Sequence, residues 1–257
     1  MSVSISIPSL DNIAFIRSND VIFFAHSGND AASTSVSRLI EGIYEQDPLN
    51  ARRILRERIF TTQKPTAFCM GMVRVAAKRA SFILANQIEL VPSSPWIEVP
   101  SVNLGRVPSG PVSDLSKFRI QTLPRMNKSS LIQLTLDLAA QVDRAGPRYL
   151  SDRPVAALLA TSDFKPLWWA LNSNHENKTR HAEINLIQSF IERTGKAIPP
   201  GSEIFVSLKP CKMCAGLIWE TSDSNFPTQI TYAKDDPGPH ARGTVLDTGS
   251  VESKLCC

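Results

Sequence analysis

Long apolar runs are missing from this chain. No stretch of its 257 residues approaches the ~20 apolar residues of a membrane span, so no membrane partner is expected. Residues 1–20 also lack a basic start followed by an apolar stretch. No secretory leader is therefore expected, and the chain reads as cytoplasmic. Cysteine is scarce: the five are Cys69, Cys211, Cys214, Cys256 and Cys257. A second Cys-x-x-Cys is absent, which argues against a zinc ribbon. A strong excess of one charge is missing too, since 28 Lys and Arg face 24 Asp and Glu for a net charge of +4. A dedicated nucleic-acid binder would be more basic and more patchy. The small excess is compatible with an anionic partner such as a nucleotide or RNA. Arg52-Arg53, Arg56 with Arg58, and Lys78-Arg79 are short basic clusters that read as solvated helix faces. What remains is an ordinary soluble composition, 42% hydrophobic and 20% charged, with length for one or two domains.

The informative feature is His181-Ala182-Glu183 followed by Pro210-Cys211-Lys212-Met213-Cys214. One imidazole and two thiolates make three zinc ligands and leave the fourth tetrahedral position open, as in catalytic sites. His175 is a possible fourth ligand, and His240 is remote in sequence. The apolar stripe of Ala182, Leu186, Ile187, Phe190 and Ile191 predicts a helix that places His181 and Glu183 on its first turn, with Gly195 as its stop. Glu203 to Leu208 predicts a buried strand. Pro210 suits the start of a second helix, which puts Cys211 and Cys214 one turn apart at the positive end of the helix dipole. That end favours thiolates. A redox Cys-x-x-Cys would leave His181 and Glu183 unexplained. A purely structural zinc site stays open as an alternative.

At these residues the chain resembles the cytidine deaminase-like superfamily of zinc hydrolases, over roughly residues 129–248. The resemblance implies a three-layer α-β-α fold with a central mixed sheet. Its elements have matches here: a helix from Ser130 to Ala145 capped by Ser129 and stopped by Gly146-Pro147, strands over 155–160 and 167–171, the two metal helices with their strand, and a strand over 229–233. The forms His-Ala-Glu-Ile, Met-Cys-Ala-Gly and Tyr232-Ala233…Asp235-Asp236-Pro237 are most similar to the branch of tRNA adenosine, guanine and deoxycytidylate deaminases. The resemblance implies one Zn²⁺ per chain on His181, Cys211 and Cys214, with Glu183 moving protons to and from the attacking water. It also implies a substrate contact from Asn172, or Asn174 as second choice. Ala182 is a further candidate contact; Trp168 and Trp169 alternate across a strand, so only one can face the pocket, and Trp169 is taken as the candidate, with core packing the default for each. The substrate that the resemblance implies is an amino-substituted nucleobase in a nucleoside, nucleotide or nucleic acid, in RNA editing or nucleotide metabolism. The alternatives are a silent zinc protein that binds nucleotide or RNA, and a structural partner of another deaminase. The superfamily's further strand and helix after the fourth strand are not evident; Thr244 to Asp247 offers only a short last strand.

The first half reads as a degenerate repeat of the second. A shift of 145 lays Ile59-Phe60 to Met72 over Ile204-Phe205 to Leu217, with Ile, Phe, Lys, Pro, Cys and Gly coinciding. The chemistry is gone from this copy. Cys211 meets Thr66, His181 meets Val36 or Thr34, and Glu183 meets Arg38 or Val36, while Cys69 alone survives. The expected division is residues 1–90 as a module without metal, 91–114 as a Pro-rich linker, and 115–257 as the deaminase domain. If the repeat holds, the chain is a monomer built as an internal pseudo-dimer. Cys256-Cys257 resembles a lipidated tail but reads as a disordered one.

Overall fold

A computed structural model describes residues 12–79, 83–84, 94–118, 120, 126–142, 152–247 and 252–254. The first half opens with an antiparallel hairpin, β1 (Ile13–Ser18) and β2 (Val21–His26), whose two-residue turn uses Asn19 at φ 55. Asparagine tolerates the left-handed backbone such tight turns require. Next come α1 (Ser35–Gln46), the short α2 (Ala51–Ile54), β3 (Ile59–Thr61), α3 (Ala67–Val75), β4 (Ile83–Leu84) and β5 (Trp96–Glu98). The second half begins with β6 (Ser109–Pro111) and α4 (Lys128–Ala139). Then follow the hairpin of β7 (Ala156–Ala160) and β8 (Pro166–Leu171), α5 (Ala182–Thr194), β9 (Glu203–Leu208), α6 (Lys212–Thr221), β10 (Gln229–Lys234) and β11 (Glu252–Lys254). Among the described residues no helix is long and apolar enough to cross a membrane.

The two sheets share a four-strand order, β4-β3-β1-β2 in one and β10-β9-β7-β8 in the other, and differ at their edges. One is ordered β4-β3-β1-β2-β5 and the other β11-β10-β9-β7-β8-β6. The hairpins are antiparallel in both. β3 and β9 each pair antiparallel with the first hairpin strand, and β4 and β10 each pair parallel with the strand before them. The repeat expected from the 145-residue shift is therefore present as topology. In the second half, alternate strand residues face opposite layers. Ala157, Leu159, Trp168 and Ala170 point to α5 and α6, while Ala156, Leu158, Trp169 and Leu171 point to α4. That is the three-layer arrangement. The first half has helices on one face among the described residues; its other face is a small cluster of Ile13, Phe15, Ile22 and Phe24 under Phe60 and Trp96.

The halves meet through α3 and α6, and the contact is two-fold symmetric in kind. A Cβ on Gly71 would sit 2.5 Å from the Lys212 carbonyl oxygen, and one on Gly216 would sit 2.7 Å from the Ala67 carbonyl oxygen. Each glycine thus touches the first turn of the other helix, as in an isologous interface. One continuous apolar cluster runs from Leu39 and Ile40 of α1 through Phe68 and Met72 of α3 to Ile187 of α5 and Leu217 of α6.

Several sequence expectations are corrected. The segment 91–114 is not only a linker: β5 pairs parallel with β2, and β6 pairs antiparallel with β8, so it supplies an edge strand to each sheet. The helix expected from Ser130 begins at Lys128, because Asn127 rather than Ser129 is the cap; its Oδ1 accepts from the Ser130 amide at 2.8 Å. That helix ends at Ala139, and Gly146-Pro147 lies outside the described residues. Pro210 precedes α6 rather than opening it, since Cys211 is the cap. Thr244 to Asp247 is a turn, in which Asp247 accepts from the Thr244 amide, and the last strand is β11, parallel to β10. Cys256-Cys257 lies outside the described residues.

The glycine crossing gives a direct expectation. Gly71→Ala places a methyl against backbone atoms that cannot swing aside. Chemical denaturation of this variant is expected to show a loss of about 1–3 kcal/mol, and unchanged stability counts against the close crossing.

Candidate active site

Two helix starts converge on one point. His181 is the N-cap of α5 and Cys211 the N-cap of α6, and neither makes a side-chain capping bond. Ser, Thr, Asp or Asn at these positions would satisfy an amide of the first turn. Here the imidazole and the thiol turn towards each other instead. His181 Nδ1 lies 3.5 Å from Cys211 Sγ and 3.6 Å from Cys214 Sγ, and the two sulfurs are 3.6 Å apart. A tetrahedral zinc with Zn–S near 2.3 Å and Zn–N near 2.0 Å sets sulfur–sulfur separations of ~3.8 Å and sulfur–nitrogen separations of ~3.5 Å. The donor set fits that spacing and can hold a metal ion. His175 does not join it. That residue is exposed, and its amide donates to Asp152.

Glu183 stands on the first turn of α5, 3% exposed. Burial first, and the charge of Cys211 second, push its carboxyl up to about 7. Cys211 is held well below the usual thiol range, first by its hydrogen bond with Cys214 and then by His181 against the opposing effect of burial. Burial of His181 opposes its protonated form, but the Cys211 charge and hydrogen bond outweigh it and raise the imidazole.

Two adjoining chambers open on this cluster. The inner one, about 40 Å³, is bordered by Glu183, His181, Cys211, Asn172, Asn174 and Val155. The outer one, about 480 Å³, shares His181, Cys211, Asn174, Arg153 and Asp236 with it, and its wall includes Tyr44 and Lys78 from the first half. Asn172 and Asn174 are thus both at the site. The Asn172 amide donates to the Arg153 carbonyl and to Asn174 Oδ1. Ala182 is fully buried in the apolar core and borders neither chamber. Trp169 is placed on the far face of the sheet. Its indole N–H donates to the Pro111 carbonyl, and its ring lies under Lys117 and against Phe118, so it is core and not a substrate platform. Trp168 is core as well, on the near face, with its indole N–H on Ser189. His240, remote in sequence, borders the outer chamber.

The first half carries the same geometry without the chemistry. Thr34 is the N-cap of α1 and Thr66 the N-cap of α3, and both make the capping bonds that His181 and Cys211 forgo. Cys69 Sγ sits 3.3 Å from Thr34 Oγ1 and 3.4 Å from Thr66 Oγ1. The helix register therefore matches His181 with Thr34 and Glu183 with Val36. A hydrogen-bonded Thr-Thr-Cys cluster occupies the place of the His-Cys-Cys cluster.

Residues 147–256 match the model of the Bd3614-like deaminase family. Solved structures similar to the chain include a tRNA:A34 deaminase described for A-to-I editing at the wobble position of transfer RNA, with 23% identity over 49% of this chain and 92% of that chain and a TM-score of 0.41. A guanine deaminase from Nitrosomonas europaea is 16% identical over 57% of this chain and 86% of that chain, with a TM-score of 0.41. A dCMP deaminase from cyanophage S-TIM5 is 18% identical over 51% of this chain and 100% of that chain, with a TM-score of 0.35. No curated protein matches the chain.

The second half is clamped from the first half by residues that no local pattern reveals. Arg180, beside His181, lies 3.3 Å from Glu41 of α1, and both side chains are about 5% exposed or less. Gln188 of α5 closes the triangle, accepting from Arg180 and donating to Glu41. Burial raises the Glu41 carboxyl above its ordinary value despite Arg180 beside it. Next to this, Asn177 donates to Glu45. The partners lie far apart in the chain, which is why the sequence carries no signal for them. Removing one member of a buried pair strands the other charge. Glu41→Ala is therefore expected to cost about 3–5 kcal/mol in denaturant unfolding, well beyond an exposed glutamate such as Glu57→Ala.

Proposed function

We propose that the chain is a zinc-dependent hydrolytic deaminase acting on an amino-substituted nucleobase. The observation that carries this reading is the donor triangle of His181, Cys211 and Cys214, of which His181 and Cys211 border the same small chamber as the buried carboxylate of Glu183. Zinc bound there supplies Lewis acidity, which lowers the pKa of water towards ~7. Glu183 takes a proton from the attacking water. It then returns protons to the ring nitrogen and to the departing amine, so that water and C–NH₂ become C=O and ammonia. One carboxylate serves both steps because it is regenerated in each cycle. Its raised proton affinity suits a group that must both accept and release near neutrality. Asn172 and Asn174 border the chamber and offer amide groups to the edge of a base. Backbone N–H groups at the start of α6 face developing negative charge.

Intact Glu183 favours an active enzyme over a silent binding protein, because the first half shows what loss looks like: valine at the glutamate position and threonines at two ligand positions. The first half then acts as a built-in second subunit, and the chain is a monomer. The substrate is a nucleobase compound, with RNA among its possible forms.

Three results are expected. Elemental analysis should find one zinc per chain, lost in Cys214→Ser and kept in Cys69→Ser. Glu183→Ala should keep the metal while ammonia release from a panel of nucleosides, nucleotides and tRNA drops by ~10²–10⁴-fold; turnover surviving in that variant would overturn the role of Glu183. Light scattering should give the 28.3 kDa mass of one chain, and a tight dimer through α6 would contradict the internal pseudo-dimer.

A further inference from the structure

The outer chamber has a wall of cations drawn from both halves. Arg52 and Arg56 come from α2 and the turn after it, Lys78 from the end of α3, Arg153 from the approach to β7, Lys178 from the loop before His181, and His240 from the segment after β10. Five permanent cations thus face one bordering carboxylate, Asp236, which is 3.9 Å from Arg153. Among the described residues no ion pair engages Arg52, Arg56 or Lys78. Lys78 Nζ is 3.4 Å from His240 Nε2, whose imidazole is held below its ordinary range first by burial and then by Lys78. Lys178 Nζ donates to the Asn174 and His175 carbonyls; burial first and the charge of Arg52 second depress it, and Asp152 opposes them. The wall of this cavity of about 480 Å³ thus carries more positive than negative groups, and an anion in it balances them.

Lys78 adds a second, independent observation. Its backbone is left-handed, φ 57, just past the end of α3. Glycine is the relaxed residue at such a helix end, and α5 has one there, Gly195 at φ 65. Attraction to the helix dipole accounts for a cation near this end, but not for Arg52, Arg56 and Arg153 bordering the same cavity. Lysine in this conformation, where glycine would relax the chain, sets its side chain at the chamber wall.

We infer that the metal-free first half has become the phosphate-reading rim of the active site: Arg52, Arg56 and Lys78, facing Arg153 and Lys178, bind the phosphate ester of a substrate whose base enters the inner chamber. The inference rests on the deaminase reading for the identity of the inner chamber. It removes free bases and unphosphorylated nucleosides from the favoured substrates. The chamber volume is in the ~300–1,000 Å³ range of ligand pockets. The phosphate can belong to a free nucleotide or to a polynucleotide.

Calorimetry on the full chain as purified, carrying Glu183→Ala so that nothing is turned over, separates these outcomes. The probes are inorganic phosphate, matched nucleosides and nucleoside 5′-monophosphates, and a short single-stranded RNA. Phosphorylated probes are expected to bind at least about tenfold more tightly than the matched nucleosides, the scale of one charge-assisted hydrogen bond. Arg52→Ala/Arg56→Ala/Lys78→Ala should erase that preference and leave nucleoside affinity alone. Arg53→Ala/Arg58→Ala, which changes exposed cations outside the chamber wall, should keep it. Lys78→Gly should weaken phosphate binding while holding or raising the thermal midpoint, which separates lost recognition from lost folding. Tighter binding of monophosphate than of RNA identifies a free nucleotide as the source, and the reverse identifies a polynucleotide. Equal affinity for nucleosides and nucleotides, no binding of any phosphorylated probe, or an unchanged preference in the triple variant overturns the rim. Failure of the deaminase reading looks different: the chain with Glu183 intact releases no ammonia from any probe, while the phosphate preference persists.

Discussion

Three soft donors held 3.5–3.6 Å apart govern the architecture of the second half. Such a triangle is costly to build from one segment, because adjacent side chains diverge. Here it comes from two helix starts, each following a strand of one sheet, with β7 between those strands. The sheet fixes the distance between the starts. The helices add aligned amides and a positive end that favours thiolate. The site forgoes two capping bonds, and the same two positions in the first half show the ordinary solution, with Thr34 and Thr66 capping their own helices. Local stability is therefore spent where the ligands are needed.

The pairing of halves follows from a similar constraint. α5 and α6 present an apolar face that one sheet cannot cover. Copies of this topology can bury that face against each other, and the glycines at 71 and 216 let the helices approach to backbone contact. The first half lacks the His-Cys-Cys donor set, keeps the crossing, sends Glu41 to the buried Arg180 next to His181, and lines the outer chamber with cations.

The local chemistry was legible because it is periodic or close in sequence. His181 and Glu183 start a helix with a clear apolar stripe, and Cys211 and Cys214 are one helical turn apart. The repeat was legible through the matched run around Lys64-Pro65 and Lys209-Pro210. Boundaries failed where a single side chain decides, as with Asn127 in place of Ser129. The 91–114 segment misled because its prolines disfavour helix without forbidding an edge strand. Trp169 misled because alternation shows that two adjacent tryptophans face opposite ways without showing which face holds the site.

What the sequence by itself determined is the donor set, the carboxylate beside it and the doubled order of elements, since these depend on residue type and short spacing. Only the tertiary structure decided which tryptophan faces which layer, which cations meet at the chamber and which glutamate reaches Arg180. Those contacts join residues from about twenty to more than a hundred positions apart, and their placement depends on how two sheets and a shared helical crossing are set in space.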